Sequence, residues 1–251
     1  MSASIDEMRP METSSGAEAD SALVTRISGK NKTRLHPVFL LRYLAALSAS
    51  CHDGSMKRKR RIGLLGGSFN PAHDGHRHIS LEALKRLDLD EIWWLVSPQN
   101  PLKQVKGMAP LAERVAYARE IALHPRLKVT DIEVRLGTRY TADTLEKLVR
   151  QYPKIDFCWL MGADNLAGFH RWQRWHSIAA CVPIAVLARE PYSADARVAV
   201  AARRLWRYRL PAQAARSLVG TKLPGWVFLP IRRHPASASH LRATGRSLLH
   251  K

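Results

Sequence analysis

Two histidines three residues apart, His73 and His76, follow a glycine pair in the segment GGSFNPAHDGH. The segment comes directly after an apolar run, residues 62–65, and begins a stretch with helical periodicity. Glycines at the end of a strand let the backbone approach a ligand closely, and the unpaired N–H groups of the next helix attract anions. Two imidazoles on one face of that helix start can add hydrogen bonds to a phosphate. The pattern therefore predicts a phosphate-binding turn.

The same segment argues against several other sites. It contains neither G-x-G-x-x-G nor G-x-x-x-x-G-K-[ST], so it is not a dinucleotide fingerprint or a P-loop. A metal site is not expected, because the two histidines lack a third ligand and the i, i+4 spacing of H-E-x-x-H. Histidines in an arbitrary sequence usually have only a structural role. Their place directly after Gly66 and Gly67 favours the phosphate role here.

Three further segments carry groups that could bind a nucleotide. SASHLR, residues 237–242, offers two hydroxyl groups and a guanidinium for phosphate oxygens, although serine-rich helix caps are common. In MGADN, Asp164 follows an apolar run, where a carboxylate is costly unless it is paired or faces a ligand. In FHRWQRW, residues 169–175, an aromatic face can stack on an electron-poor ring. The alternative is that Trp172 and Trp175, three residues apart, both pack in the core, and we assign that role to Trp175.

These segments need a scaffold that brings the ends of several strands together. Short apolar runs alternate with segments of helical period from Ile62 onward, which is typical of βαβ units around a buried parallel sheet. Pro110 is expected at a first helical position, and Thr141 as an N-cap with Asp143 in the first turn. The predicted strands are 62–65, 92–96, 127–130, 157–161, 183–187 and 226–229, and the predicted helices are 75–87, 110–123, 142–151, 172–180 and 195–210. The expected fold class is α/β, with a doubly wound, mostly parallel sheet and helices on both faces.

The 251 residues are enough for one large domain and a tail. Residues 1–56 have no sustained period and are predicted to be a disordered N-terminal extension, or sequence upstream of a start at Met56; residues 57–251 are the predicted domain. The apolar stretch from Val38 to Leu47 is interrupted by Arg42 and is too short to cross a membrane, so neither export nor a membrane partner is expected. Three widely spaced cysteines predict no disulfide framework and fit a reducing, cytoplasmic location.

The formal charge of +19 indicates that partners met by electrostatics are anionic. A basic nucleic-acid-binding protein is one interpretation. The sequence, however, has no zinc-finger spacing, no RRM-like aromatic motif and no repeated Arg/Gly tract. We therefore expect phosphate-bearing small molecules as partners and no nucleic acid.

Residues 67–76, GSFNPAHDGH, resemble the G-x-F-x-P-x-H-x-G-H signature of the nucleotidyltransferase superfamily, and the rest of the chain is similar to nicotinate-nucleotide adenylyltransferases. The resemblance extends from about Arg61 to Arg242. It includes RYTADTL for the family's S-Y-T-x-D-T-L, MGAD for I-G-x-D, and SASHLR for I-S-x-T-x-x-R. Ala236 replaces the isoleucine of that last motif and Ser239 its threonine, which keeps the hydroxyl group.

The resemblance implies a Rossmann-like nucleotidyltransferase fold and a set of site residues. The implied ATP-binding residues are Gly67, Ser68, Phe69, His73, His76, Gly162, Asp164, Ser237, Ser239 and Arg242. The implied catalytic residues among them are His73, His76 and Arg242. The implied acceptor-binding residues are Lys103, Thr141, Trp172 and Gln173. A solvated loop lysine is nearly as good an interpretation of Lys103.

The implied reaction moves the adenylyl group of ATP to nicotinate mononucleotide and releases pyrophosphate, in NAD biosynthesis. Mg²⁺ is expected to arrive with ATP, with no dedicated metal site in the protein. ATP and nicotinate mononucleotide are the expected partners, and an oligomer is compatible with the sequence. The nearest alternative is another enzyme of the superfamily, such as a pantetheine-phosphate adenylyltransferase.

Overall fold

Seven strands form one parallel sheet in the computed structural model, which describes residues 58–98, 107–188 and 193–232. Their spatial order is β3-β2-β1-β4-β5-β7-β6. The strands are β1 Arg60–Gly67, β2 Glu91–Val96, β3 Leu127–Thr130, β4 Ile155–Gly162, β5 Ile184–Ala188, β6 Arg209–Leu210 and β7 Trp226–Pro230. The helices are α1 Asp74–Arg86, α2 Leu111–Ile121, α3 Ile132–Arg135, α4 Thr141–Gln151, α5 Ala163–Gly168, α6 Trp175–Cys181, α7 Ser193–Val198 and α8 Val200–Arg204. The predicted α/β class is confirmed.

Alternate residues of each central strand face two separate cores. On β2, Trp93 and Leu95 belong to the core that α4 and α6 cover. Trp94 and Val96 belong to the core that α1 and α2 cover. Because successive side chains of a strand point to opposite faces, helices cover both faces of the sheet, as the doubly wound prediction requires.

The order of the strands changes direction between β1 and β4: β2 and β3 lie on one side of β1, and β4 to β7 lie on the other. β1 pairs with β2 on one side and with β4 on the other, and both pairs are parallel. In open α/β sheets, ligands bind beyond the carboxyl ends of the strands at such a switch point. The segments after Gly67 and Gly162 flank this position, so the topology places the predicted phosphate turn where a ligand would lie.

Two helix starts differ from the predictions. Tyr140 is the N-cap of α4 and Thr141 is its first helical residue, while Asp143 does lie in the first turn. Pro110 is the N-cap of α2, not its first helical residue, with a ψ of 146° that is extended rather than helical. Both shifts are one residue, within the precision of boundaries set from sequence.

Two other predicted helices differ more from the structure, and the helix predicted at 110–123 ends two residues early, at Ile121. Helix 172–180 begins at Trp175, because Arg174 is left-handed at a φ of 53° and Trp172 is extended. Helix 195–210 divides into α7, α8, a 3₁₀ turn and the edge strand β6. Arg209 pairs with Trp226 of β7, so sheet pairing overrides the helical propensity of this alanine- and arginine-rich segment. The short helices α3 and α5 have no counterpart among the predicted helices.

Several predictions fall outside the described residues. These are the N-terminal extension 1–56, Lys103, and the C-terminal group Ser237, Ser239 and Arg242. Across the ranges that the structure does describe, no helix has the length and apolar composition needed to cross a membrane.

Candidate active site

The two histidines lie at the amino end of α1, directly beyond the carboxyl end of β1. His73 is the N-cap and His76 is the third helical residue, and their ring centroids are 3.8 Å apart. The backbone N–H of His73 donates to Nδ1 of His76 at 3.2 Å. Because an accepting nitrogen carries no proton, the neutral His76 ring keeps its proton on Nε2. This hydrogen bond fixes the His76 ring at the helix start, where the sequence predicts a phosphate-binding turn.

Buried aromatic rings fix the orientation of His76. Phe69 is 2% exposed and stacks on Trp94, with centroids 5.1 Å apart and an angle of 16°. The His76 ring lies against Phe69 at 4.7 Å. Trp94 Nε1 donates to Ser80 Oγ, and that hydroxyl donates to the carbonyl of His76. The first turn of α1 is thus attached to β2 by both packing and hydrogen bonds.

A buried arginine holds the turn from the other side. Arg114 of α2 is 1% exposed and donates to the carbonyl oxygens of Ser68, Ser97, Pro98 and Ala109 at 2.7 to 3.0 Å. Burial lowers the pKa of its guanidinium. Its charge is satisfied by carbonyl dipoles from the ends of both β1 and β2. Arg114 therefore fixes the relative position of two strand ends at the site, and sequence reasoning missed it because a buried arginine has no motif.

Asp164 lies across the switch point from the histidines. It is exposed, at the second position of α5, immediately after β4 ends at Gly162. A methyl group on Gly162 would collide with the Asp164 carboxylate, so the carboxylate lies over this glycine. The structure therefore places an accessible carboxylate at the carboxyl edge of the sheet, close to Gly162.

Three of the four predicted acceptor residues, Thr141, Trp172 and Gln173, are described, and they lie on the α4 and α6 side of the sheet. Trp172 is half-buried and meets Phe169 and Trp159 edge-to-face, at 5.4 Å and 6.2 Å between centroids. Gln173 beside it is exposed. Trp175 is 9% exposed and belongs to the core, as predicted. Trp172 thus keeps an accessible surface that Trp175 lacks.

Arg174 joins this loop to α4. Its guanidinium donates to Asp143 Oδ1 at 2.9 Å and also to Glu146 Oε1. Thr141 begins the same helix, two residues before Asp143. The ion pairs therefore fix the Trp172–Gln173 segment relative to the amino end of α4, and so connect the two parts of the predicted acceptor site. This arginine, too, was absent from the predicted site residues.

A buried carboxyl group lies next to the end of β2. Glu133 is 6% exposed, and its Oε2 has no hydrogen-bond partner among the described residues. Burial raises its pKa to about 7, against a hydrogen bond with Ser97 that favours the ionised form. In the unfolded chain the group ionises near 4.5, so the unfolded state loses its proton first as the pH rises. Folding stability must therefore fall between about pH 4.5 and pH 7 because of Glu133.

Metal-binding clusters are not found in the parts of the chain that the structure describes. No group of three or more His, Cys, Asp or Glu side chains in those ranges could hold an ion. The thiol of Cys158 is fully buried, and burial raises its pKa to about 12, which makes it a poor nucleophile or ligand. Asp164 and Asp74, the first residue of α1, are exposed carboxylates of this site among the described residues.

Comparison with known proteins gives the family of this arrangement. The family model described as Cytidylyltransferase-like matches residues 64–244. A Roseobacter denitrificans protein named a probable nicotinate-nucleotide adenylyltransferase is 53% identical over 184 residues, covering 73% of this chain and 92% of the relative. A Bradyrhizobium protein of the same name is 55% identical over 182 residues, covering 72% and 95%.

Solved structures agree with the fold. A Plasmodium falciparum nicotinic acid mononucleotide adenylyltransferase complexed with NaAD has a TM-score of 0.56 at 16% identity, covering 73% of this chain and 83% of that one. The same enzyme complexed with APC has a TM-score of 0.55 at 15% identity. At these identities the likeness establishes the fold alone.

Proposed function

The chain belongs to the nicotinate-nucleotide adenylyltransferases among the cytidylyltransferase-like proteins, and on that premise we propose how its residues divide the reaction. The substrates are ATP, as its magnesium complex, and nicotinate mononucleotide. The products are nicotinate adenine dinucleotide and pyrophosphate, a step of NAD biosynthesis. The observation that carries the proposal is the histidine pair at the start of α1, beside the switch point of the sheet.

The chemistry is in-line attack by a phosphate oxygen of nicotinate mononucleotide on the α-phosphorus of ATP. The bond from that phosphorus to the bridging oxygen breaks, and pyrophosphate leaves with the electron pair. The attacking phosphate has a second pKa of roughly 6 and is mostly dianionic at neutral pH, so it needs no general base from the protein. The protein contributes positioning and stabilisation of developing charge.

The histidine pair and the glycine turn bind the triphosphate. His76 donates from Nε2, the N–H groups at the start of α1 supply the partial positive charge of the helix, and His73 adds a second imidazole 3.8 Å away. Asp164 contacts the adenosine from the end of β4. Gly67, Ser68 and Phe69 contribute backbone contacts, and Gly162 leaves room for the Asp164 carboxylate.

The acceptor occupies the region between α4 and the loop before α6. The pyridine ring stacks on Trp172, and backbone N–H groups near Thr141 and Gln173 receive its carboxylate. Charge-assisted bonds to a carboxylate are stronger than bonds to a neutral amide, so nicotinate is preferred to nicotinamide. Arg174 holds the two parts of this pocket together through Asp143 and Glu146.

The remaining assignments complete the proposal. Arg242, Ser237 and Ser239 bind the triphosphate, Arg242 with a catalytic role, and Lys103 lies near the acceptor phosphate. Mg²⁺ enters on ATP, coordinated mainly by phosphate oxygens and water. A cytoplasmic location is supported by the free thiols of Cys158 and Cys181.

A pyrophosphate-release assay tests the function. The full chain is incubated with ATP, Mg²⁺ and, in parallel, nicotinate mononucleotide, nicotinamide mononucleotide or pantetheine phosphate. We expect rapid release with nicotinate mononucleotide and a kcat/KM at least tenfold lower with the amide. Release with pantetheine phosphate alone would instead identify the other branch of the superfamily.

A further inference from the structure

One part of the surface is rich in basic and exposed aromatic residues that have no role in the proposed adenylyl transfer. Between Arg197 and Arg232 the chain has eight basic residues and no aspartate or glutamate. Trp206 is 65% exposed and Tyr208 is 46% exposed, which is unusual for such large rings. Together with the exposed arginines that surround these rings in the chain they form what we call the basic aromatic surface: Arg197, Arg203, Arg204, Trp206, Arg207, Tyr208 and Arg209.

Aromatic rings hold several of these guanidinium groups in place. Arg207 lies over the Trp206 ring, 5.7 Å from its centroid. Arg209 lies over the buried rings of Trp226 and Phe228, at 5.5 Å and 5.6 Å. A guanidinium over a ring keeps its N–H donors available, because the ring takes none of them. These cations are therefore positioned without being neutralised by the groups that position them.

The two exposed rings lie near the amino ends of the strands, whereas α7 and α8, which carry the other arginines of the surface, pack against α5. Arg209, the first residue of β6, pairs with Trp226, the first residue of β7, and Trp226 pairs with Ile184 at the start of β5. All these strands are parallel, so Trp206 and Tyr208, just before β6, are near the amino ends of the strands. The histidine turn follows a carboxyl end. Changes of Trp206 and Tyr208 can therefore be separated from changes in catalysis.

We propose that the basic aromatic surface binds single-stranded nucleic acid, with RNA as the probe. Exposed rings bind unstacked bases by stacking, and neighbouring arginines bind the phosphates between them. Arginine suits this role better than lysine, because its planar fork both stacks and binds phosphate in a bidentate manner. The expectation of no nucleic-acid partner rested on the absence of known binding motifs from the sequence. Exposed rings on a 3₁₀ turn belong to no such motif, so the sequence could not have predicted this surface.

The same features disfavour two other occupants. A second copy of the chain would bring two sets of these arginines together across a two-fold interface, and like-charge repulsion opposes that contact. A membrane surface is usually met by a long amphipathic helix. Here α7 has six residues and α8 five, and the exposed rings lie on a 3₁₀ turn.

Binding of a fluorescent 12-nucleotide oligouridylate to the full chain, followed by anisotropy, tests the proposal. An aromatic variant removes both rings and leaves the charge unchanged. A basic variant removes three charges from the surface, and a matched control removes three exposed charges elsewhere. The aromatic variant is W206A/Y208A, the basic variant is R203A/R204A/R207A, and the control is R119A/R150A/K154A.

We expect the aromatic variant to raise the Kd for the oligonucleotide about tenfold or more, since stacking on a ring has that effect per base. The basic variant should weaken binding similarly and reduce the slope of log Kd against log salt by about 2, from about 0.7 per phosphate contact. The control should change the Kd less than about threefold. Adenylyl transfer should be unchanged in the aromatic variant and in the control, which separates this test from that of the enzymatic function.

Four results would overturn the proposal. The first is an aromatic variant that binds the oligonucleotide as well as the parent chain does. The second is equal weakening by the basic variant and its control, which would indicate general charge attraction. The third is ring-dependent binding to vesicles with 30% anionic phospholipid and none to RNA. The fourth is a dimer that the aromatic variant dissociates, which would assign the surface to a second copy.

Discussion

Adjacent glycines at the end of β1 have different steric surroundings, and exchanging each for alanine separates packing from ligand binding. A methyl group on Gly66 would overlap the indole of Trp159, which is 2% exposed and cannot move freely. A methyl group on Gly67 meets only the Phe69 ring among the described atoms, at 3.4 Å or more, which is ordinary contact. Neither glycine has a positive φ, so strain in the backbone does not enter.

We expect Gly66→Ala to lose stability. Overpacking of this kind costs about 1 to 3 kcal/mol, which corresponds to a fall in Tm of roughly 3 to 10 °C for a domain of this size. Trp159 also meets Trp172 edge-to-face, so its displacement should raise the KM for nicotinate mononucleotide. Gly67→Ala should keep the parent Tm within about 1 °C and raise the KM for ATP about tenfold, because the methyl group enters the space of the phosphates.

The measurements are differential scanning fluorimetry and steady-state kinetics with each substrate varied in turn. The reasoning depends on the contrast between the two variants. It would be refuted by a Gly67→Ala protein with the parent KM for ATP, or by a Gly66→Ala protein with the parent Tm.

Three further changes test other parts of the site. His76→Ala should lower kcat about 10² to 10³, the usual loss for one donor to developing charge, and a parent kcat measured by pyrophosphate release would remove that role. Arg174→Ala should raise the KM for nicotinate mononucleotide about fivefold and leave the KM for ATP unchanged, since two partly exposed ion pairs contribute about 1 kcal/mol. Arg174→Lys should recover part of the loss, and Arg150→Ala, at an exposed residue of α4, is the control. Equal changes in both KM values would contradict a positioning role. Glu133→Gln should be more stable than the parent at pH 8, by up to about 3 kcal/mol in urea unfolding, with the difference shrinking towards pH 4.5. A difference in stability that does not vary with pH would show that Glu133 ionises normally.

The sequence was informative wherever a local pattern determines local structure. Apolar runs bounded by turns marked six of the seven strands, because buried parallel strands need continuous apolar residues whatever surrounds them. The glycine pair and the two histidines after it also predicted the turn beyond β1, because all four residues belong to one short segment of the chain. Trp175 is in the core as predicted, but the sequence did not show that Trp172 lies outside the helix, in extended backbone before the left-handed Arg174.

The sequence was uninformative where distant contacts decide the outcome. β6 exists only because Arg209 meets Trp226, which local propensity does not encode. Arg114 and Arg174 look like surface cations in the sequence. One is buried among carbonyl groups from four different residues, and the other bridges two acidic side chains 28 and 31 positions away. Such long-range partners become visible only in the folded chain.

The central claim is that the turn after β1 binds the triphosphate. A crystal structure of the chain with a non-hydrolysable ATP analogue and nicotinate mononucleotide measures this directly. We predict phosphate oxygens within about 3 Å of His76 Nε2 and of the first N–H groups of α1, with the pyridine ring stacked on Trp172. An analogue bound elsewhere, with His73 and His76 both facing bulk water, would contradict the account.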